Sequence, residues 1–379
     1  MIDSVVPFFL SKILVGCALV YVSPSSTITR LLLTLVVGYL CLVSASSTFV
    51  AAIPGGVGSE YIIAFILYTS LILCLDNLSV PKSGSKTWAF NQLFSSRYAE
   101  TRLPAFQSGD SAYVPTRRRL FFQRLWDVVW TGVIVWFFHT KPLDTLPVDY
   151  LSVPNGFLIR MVGGEVSDRE LFIRIYSTVA GYALQYFPLR FFHSLATCIA
   201  MLCGQDPKDW PPLFGSISEA YTVRRWFGIF WHYLVRRAFT AHAMAVCTKV
   251  FRLPPRGQVT RSLVLVISFG FSAVMHTLCM PGLERCAAWP QFRYYATVIV
   301  IIALEDVVIE AYKRVRSMLR SKPTHKLAKP KKGAAARSYP EQERPSVLLR
   351  ALGFAWVFCF HVWSTSILIY GLWSNCATR

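Results

Sequence analysis

Charge is scarce in this chain. Only 16% of its 379 residues are Asp, Glu, Lys or Arg, where soluble domains carry about 25%, and the deficit excludes an ordinary water-soluble enzyme. Strand-like alternation is missing too: runs such as Leu31-Leu32-Leu33-Thr34-Leu35-Val36-Val37 lack the period of two that a membrane barrel requires. No basic stretch precedes the first apolar segment. Met1-Ile2-Asp3 offers an acid instead, so that segment reads as a retained anchor rather than a cleaved signal peptide. The ten cysteines show no CxxC spacing, and most of them (Cys17, Cys41, Cys74, Cys198, Cys247, Cys359) lie in apolar segments, as buried inert thiols would. The seven histidines are scattered, and no carboxylate or thiol completes a ligand set at useful spacing, so the site is read as metal-free. No internal repeat is found.

What the chain has is apolar length. Hydrophobic residues make up 54% of it, in recurrent stretches near the roughly 20 residues that cross a bilayer as a helix. The candidate spans are Val5 to Val22, Leu31 to Ile53, Tyr61 to Leu78, Leu125 to His139, Leu171 to Cys203, Phe239 to Val250, Ser262 to Met280, Tyr294 to Ala311 and Val347 to Trp373. The expected class is all-α, a polytopic transmembrane protein of about eight or nine segments forming a single domain over residues 1–379. Pro54-Gly55-Gly56-Val57-Gly58 reads as the turn between the second and third segments.

The net charge of +19 belongs to loops facing the cytoplasm and to anionic lipid headgroups rather than to nucleic acid. Two loops hold most of it: Ser79 to Arg124, with Arg117-Arg118-Arg119, and Lys313 to Arg344, with Lys326, Lys329, Lys331 and Lys332. Such a surface also draws a phosphate-rich cofactor such as coenzyme A. Between them, acids outnumber bases from His139 to Glu170, which suits the opposite side. Counting crossings then leaves one segment too many, so one of them is expected to be short or re-entrant; Phe239 to Val250 is the shortest, and irregular backbone at that depth requires burial in protein or a cavity. Residues 322–345, rich in Lys, Pro and Ala, are expected to be a flexible basic cytoplasmic linker.

Ionisable groups inside apolar segments are costly and therefore candidate functional groups, with interhelical hydrogen bonding as the alternative. His276 follows Ser268 and Ser272 at helical spacing i, i+4, i+8, with Gly270 and Ala273 leaving room. A neutral imidazole in a dry pocket is suited to take a hydroxyl proton; Ser272 is the candidate for orienting it. On a helix, Arg225, Gly228, His232 and Arg236 would share one side, a face able to grip an anion, and Trp226, Phe227, Phe230 and Trp231 could line an acyl tunnel. An interfacial aromatic belt with snorkelling arginines is the other reading. His139, His193, His242 and His361 lack comparable surroundings and are assigned structural roles. Glu305-Asp306 and Glu310, before Lys313 and Arg314, read as a solvated, pair-laced helix end; a carboxylate site for a cationic or diphosphate substrate is the functional alternative.

The stretch Trp210-Pro211-Pro212-Leu213-Phe214-Gly215-Ser216, followed by Tyr221-Thr222-Val223-Arg224-Arg225-Trp226-Phe227-Gly228-Ile229-Phe230-Trp231-His232, resembles the wax-synthase branch of the membrane-bound O-acyltransferases, and more closely its fungal members that acetylate terpenoid secondary metabolites such as trichothecenes. The family's Trp-Gly-x-x-Trp-His/Asn core places a polar active-site residue at His232, supported by Trp231 and Gly228. Its later Phe-x-x-Ser-Gly-x-x-His element, here Phe269-Gly270-Phe271-Ser272-Ala273-Val274-Met275-His276, places the catalytic histidine at His276, with Ala273 where glycine is usual. The resemblance runs mainly from Trp210 to Pro281, so residues 204–281 are the expected catalytic region. It implies a tunnel-containing fold in the endoplasmic reticulum membrane, with no permanently bound cofactor. Acyl-CoA, most often acetyl-CoA, is the implied co-substrate, met by Arg224, Arg225 and Arg236, and a lipophilic alcohol the acceptor. A long-chain-alcohol acyltransferase making wax esters is the alternative within the class. From other classes, an intramembrane terpene cyclase or prenyltransferase should show paired Asp-rich motifs, and a transporter should show related halves with broken helices; neither feature is present in the sequence.

Overall fold

The structure is a computed structural model and describes residues 2–22, 26–45, 115–140, 157–278, 284–320 and 345–376. Among the described residues there are helices and turns but no strand, which bears out the all-α class. Helices α1 (Ile2–Tyr21) and α2 (Thr27–Ala45) pack against each other. They are followed by α3 (Arg117–Thr140), the short α4 (Phe157–Val162), α5 (Asp168–Leu202), α6 (Arg236–Ala245), α7 (Gln258–Leu278), α8 (Glu284–Arg320) and α9 (Val347–Cys376). Three stretches, Arg117–Phe137, Gln258–Leu278 and Val347–Ile369, are long and apolar enough to cross a membrane, and the chain is a membrane protein. The expected Tyr61 to Leu78 segment, the Pro54 to Gly58 turn, Cys74 and, except for Pro345, the 322–345 linker lie outside the described residues.

Helix boundaries differ from the hydropathy reading where charge was taken to end a helix. Arg117-Arg118-Arg119 forms the first turn of α3 rather than a loop, and Lys313 to Arg320 continues α8. Arg and Lys are good helix formers with long apolar stems, so a helix runs past the point where its apolar window closes. The Phe239 to Val250 segment is short and irregular, as expected. It begins at Arg236 and passes into a π turn over Val246–Val250. The thiols need correction: Cys41, Cys198 and Cys247 are buried, but Cys17 and Cys359 are exposed on their helices, and Cys286 is disulfide-bonded. Hydropathy locates a residue along a span and says nothing about which way it faces.

Polar clamps fix the helices where apolar packing alone leaves their register open. Asp127 of α3 accepts from Arg190 of α5 at 2.8 Å and from its own helix's Arg124 and Trp130, each at 3.1 Å. At the start of α5, Ser167 caps the amide of Glu170 at 3.2 Å. The buried Glu170 carboxylate accepts from Arg160 at 2.7 Å and Arg174 at 2.8 Å. Helix α9 packs on α5 and α8, and α7 packs on α6 and α8. Two apolar clusters result. One contains Leu213, Trp231, Leu234, Phe239 and Met275, the other Val223, Ala273, Tyr294, Tyr295 and Phe360; Trp226 and Phe227 pack against both.

Candidate functional site

The segment from Trp210 to Val235 sits among these helices, and its backbone is not one helix. A single turn, Val223–Arg225, is capped by Thr222, whose hydroxyl accepts from the Arg225 amide at 3.0 Å. Its leading amides are also taken by a carboxylate from α8. Glu305 accepts from the N–H groups of Val223 at 2.7 Å and Arg224 at 2.9 Å, and from the indole of Trp356 on α9 at 2.8 Å. Unpaired amides at the start of a helical turn are natural partners for an anion. Glu305 is thus a buried clasp, 8% exposed, and the expectation that it belongs to a solvated helix end is corrected. That reading does hold one turn on, where Arg314 pairs with Glu310 at 3.3 Å.

Beyond Arg225 the chain widens into a π turn, Trp226–Phe230, and leaves it extended at Trp231, with φ −62° and ψ 151°. Two backbone hydrogen bonds then tie this exit to the Trp-Pro-Pro motif: Gly215 N–H to Phe230 O at 2.9 Å, and Tyr233 N–H to Leu213 O at 3.0 Å. The approach is so close that a side-chain carbon at Gly215 would collide with the carbonyl oxygen of Ile229. The two halves of the sequence motif are therefore one structural unit. His232 lies within it, 7% exposed, with its ring 5.5 Å from Trp231 and 6.1 Å from Phe214.

This geometry overturns the shared helical face expected for Arg225, Gly228, His232 and Arg236. The π turn and the extended Trp231 break the spacing on which that face depended. Arg225 pairs with Glu219, donating to its carbonyl oxygen at 2.7 Å as well as to its carboxylate, and lies 4.5 Å from the Tyr221 ring. Arg224 donates to Asp306 at 2.8 Å. Arg236 bonds the carbonyl oxygen of Gly228 and approaches the Tyr233 ring at 5.6 Å. No crowding requires glycine at 228, where an added carbon would meet nothing within 4 Å.

His276 is in the last turn of α7, half-buried, its ring stacked 5.7 Å from Tyr295 of α8 at an interplanar angle of 18°. Ser268, Ser272 and His276 do share one helix, but no hydrogen bond joins Ser272 to His276 among the described residues. The structure links the elements that carry His232 and His276 through aromatic side chains. Tyr295 meets Tyr294 at 5.1 Å, Tyr294 and Tyr182 share a hydroxyl hydrogen bond of 2.9 Å, and the Tyr182 ring lies 5.0 Å from Trp231.

That network contains a residue the sequence reading had set aside. His361 of α9, 3% exposed, bonds the Tyr182 hydroxyl through Nδ1 at 2.7 Å and lies 4.4 Å from the Trp226 ring and 5.9 Å from Phe227. The available signal was another histidine within an apolar run. Its neighbours come from α5 and the π turn, so no sequence spacing marks it.

At the opposite end of α7 from His276, a cavity of about 650 Å³ is lined by Gln258, Asp306, Glu310, Lys313 and Arg314. Gln258 and His276 are separated by almost the whole helix, about 27 Å at 1.5 Å per residue. Among the described residues, no three His, Cys, Asp or Glu side chains are grouped to hold a metal. Asp206 caps a short turn; its hydrogen bond from the Lys208 backbone amide at 3.0 Å and the Lys208 ammonium hold its carboxyl below the usual range.

Residues 210–296 match the model of the Membrane bound O-acyl transferase family. The chain is 23% identical over 294 residues, 75% of its own length, to the acetyltransferase aurG of Calcarisporium arbuscula. It is 37% identical over 116 residues, 29% of its length, to the acetyltransferase ataH of Aspergillus terreus, and 28% identical over 193 residues, 48% of its length, to the acetyltransferase fsoF of Humicola fuscoatra. These alignments span 65%, 37% and 45% of the three relatives' lengths. The resemblance carried by the Trp210 to His276 motifs is borne out: the chain is similar to fungal acetyltransferases, and the family match begins at Trp210.

Proposed function

We propose that this protein is an acyl-CoA-dependent O-acyltransferase of the endoplasmic reticulum membrane that transfers an acyl group, acetyl by analogy with its relatives, to a hydroxyl of a lipophilic terpenoid or meroterpenoid acceptor. What supports the reading is that Trp226 and Phe227 pack against both apolar clusters, one holding Trp231, the ring neighbour of His232, and the other Tyr295, the ring neighbour of His276, in a chain whose residues 210–296 match the family model. His276 takes the acceptor's hydroxyl proton as the oxygen attacks the thioester carbonyl carbon. A carbon–oxygen bond forms, the carbonyl electrons move onto oxygen, and their return breaks the carbon–sulfur bond; the proton held by His276 goes to the departing thiolate. Thiolate leaves readily, so no acyl-enzyme is needed. His232, supported by Trp231 and the Gly228 turn, positions the acyl group or stabilises the developing charge. Ser272 shares the His276 face, and Arg224, Arg225 and Arg236 line the approach of the CoA phosphates. Of these, Arg224 and Arg225 already hold carboxylate partners that an anion would have to displace.

The test is transfer of label from acetyl-CoA, and from longer acyl-CoAs, to a panel of hydroxylated terpenoids by the purified protein. His276→Ala is expected to abolish transfer while leaving expression and membrane insertion unchanged; full turnover by this variant refutes the mechanism. Preference for long-chain acyl-CoA and fatty alcohols would make the protein a wax ester synthase instead.

A further inference from the structure

The Asp127 cluster between α3 and α5 holds more positive than negative charge. Asp127 accepts from Arg190 at 2.8 Å and from Arg124 at 3.1 Å, and among the described residues no second carboxylate reaches either guanidinium. A clamp between two helices needs one charge of each sign; here two arginines share one acid. The surplus cation stands where it is expensive. Asp127 lies about halfway along the apolar stretch Arg117–Phe137, about 15 Å from its start at 1.5 Å per residue.

The cluster is open on one side. The Arg190 side chain is 31% exposed, against 11% for both Arg124 and Asp127. Of the five N–H donors that a guanidinium carries, Arg190 spends one on Asp127 and one on the Tyr186 hydroxyl. That hydroxyl oxygen accepts, so its own hydrogen is left to donate, and it has no acceptor among the described residues. Trp130 covers another side, its ring 5.1 Å from the Arg190 guanidinium. An accessible guanidinium with spare donors, a tyrosine O–H beside it and one uncompensated positive charge suit an anion with several oxygens, the chemistry of a phosphate group. Depth indicates whose phosphate. Lipid phosphates lie outside the hydrocarbon core, at the level of the Arg117-Arg118-Arg119 turn, whereas the level of Asp127 is reached by a ligand that enters the protein.

Distance supplies a second argument. The Arg190 guanidinium is 5.8 Å from the Tyr186 ring, Tyr186 is 4.3 Å from Phe214, and Phe214 is 6.1 Å from His232, so at most about 16 Å separates Arg190 from His232. The pantetheine arm of coenzyme A, about as long as four extended residues, spans about 14 Å. The two lengths agree: with its diphosphate at Arg190, an acyl-CoA extends its thioester to the neighbourhood of His232. We propose that Arg190 and Tyr186 form the subsite for the diphosphate of acyl-CoA, with Asp127 and Arg124 holding the guanidinium in place. This inference rests on the acyltransferase reading and deepens it. Arg224 and Arg225, whose charges Asp306 and Glu219 already meet, are left to the outer, nucleotide end.

The experiment measures binding of acetyl-CoA, S-acetyl-4′-phosphopantetheine and S-acetylpantetheine to the purified full-length protein by competition against labelled acetyl-CoA. The wild type is expected to bind the two phosphate-bearing compounds about 10- to 100-fold more tightly than S-acetylpantetheine, the scale of hydrogen bonds to a charged group. Arg190→Gln, which leaves Asp127 paired with Arg124, should remove most of that factor and leave S-acetylpantetheine binding as before. Arg190→Lys should keep part of it. Tyr186→Phe, which preserves the ring packing, should lower binding of the phosphate-bearing compounds alone, by a smaller factor, and serves as the test if the arginine variants do not fold. Equal binding of S-acetyl-4′-phosphopantetheine and S-acetylpantetheine by the wild type overturns the subsite and leaves the acyltransferase reading intact, whether the surplus charge then meets a lipid phosphate or another anion. A penalty in Arg190→Gln that is the same for all three compounds likewise overturns it, since that is what a purely structural clamp gives. A wild type that binds none of the three and transfers no acetyl group removes both proposals.

Discussion

The clasp made by Glu305 gives the sharpest test of how the site is held. Its carboxylate receives two backbone amides from the turn that leads into Trp226 and the indole of Trp356 from α9. Hydrogen bonds to a charged group contribute about 1.5–3 kcal/mol each. Glu305→Gln keeps one acceptor oxygen but turns an NH₂ group toward donors, so one or two of the three bonds are lost, and the expected destabilisation is about 3 kcal/mol. The neighbouring Asp306→Asn removes the partner of Arg224, but both side chains of that pair are about half exposed, 46% and 48%; solvent screening leaves a cost of about 0–1 kcal/mol. The assay is thermal unfolding of the two purified variants followed by tryptophan fluorescence, with limited proteolysis after Arg224 and Arg225 as the local readout. Glu305→Gln should melt well below Asp306→Asn and expose those cleavage sites. Equal melting of the two variants, or no new cleavage in Glu305→Gln, refutes the assignment of Glu305 as the fastener of this loop.

The remaining predictions address other parts of the site. Gly215→Ala should disrupt the pairing of the two motif halves, because the new methyl collides with the Ile229 carbonyl; a large loss of both stability and turnover is expected, whereas Gly228→Ala, with open space around it, should be mild. His232→Ala should lower the rate by about 10²-fold, as for one lost stabilising donor, and an unchanged rate would reduce the residue to scaffold. Glu170→Gln takes away the carboxylate shared by Arg160 and Arg174 and should destabilise by about 3 kcal/mol, the usual scale for breaking a buried pair, read as a lowered unfolding midpoint. Because the folded carboxyl of Asp206 titrates below its unfolded value, its stabilisation of the 207–209 turn is complete above the unfolded carboxylate pKa of about 3.9 and is lost as pH falls through the folded value; hydrogen exchange at Lys208 measured against pH checks the sign.

Much of the architecture was legible because membrane helices announce themselves by composition. The start of α9 at Val347 follows from apolar run length, and the irregularity after α6 from the parity of crossings. The site was legible in part. His232 and His276 stand out as ionisable groups in apolar surroundings, and both fall within the region that matches the family. What could not be read was the path of the backbone between Thr222 and His232, because a π turn leaves no signature in residue spacing, and the assumed helical face of Arg225 and Arg236 failed for that reason. Glu305 was misjudged, and the surroundings of His361 were not foreseen, for a related cause. Each gains its role from partners far away in sequence: Val223 and Trp356 for Glu305, Tyr182 and Trp226 for His361.

The placement of polar groups along α8 shows a division that the proposed chemistry needs. Glu305 and Asp306, with their arginine and amide partners, stand at the level of the cavity that Lys313 and Arg314 also line. Tyr294 and Tyr295 are about 16 Å nearer the start of the helix at 1.5 Å per residue, roughly half of a hydrocarbon core about 30 Å thick. At that second level the polar side chains on the network are tyrosine, tryptophan and histidine. Burial of an ion in such surroundings is expensive unless it is paired, so groups that stay neutral between turnovers are the ones an interior of this kind tolerates. Histidine is the member of that set able to accept a proton at neutral pH and return it. A lysine or carboxylate base at position 276 would need either a partner charge at the same depth or a shift to its uncharged form. Replacing His276 with Glu or Lys should therefore abolish transfer as fully as alanine does, although both are proton acceptors in water. Substantial turnover by either variant would show that the interior is wet, and the argument for a dry, neutral chamber would fail with it.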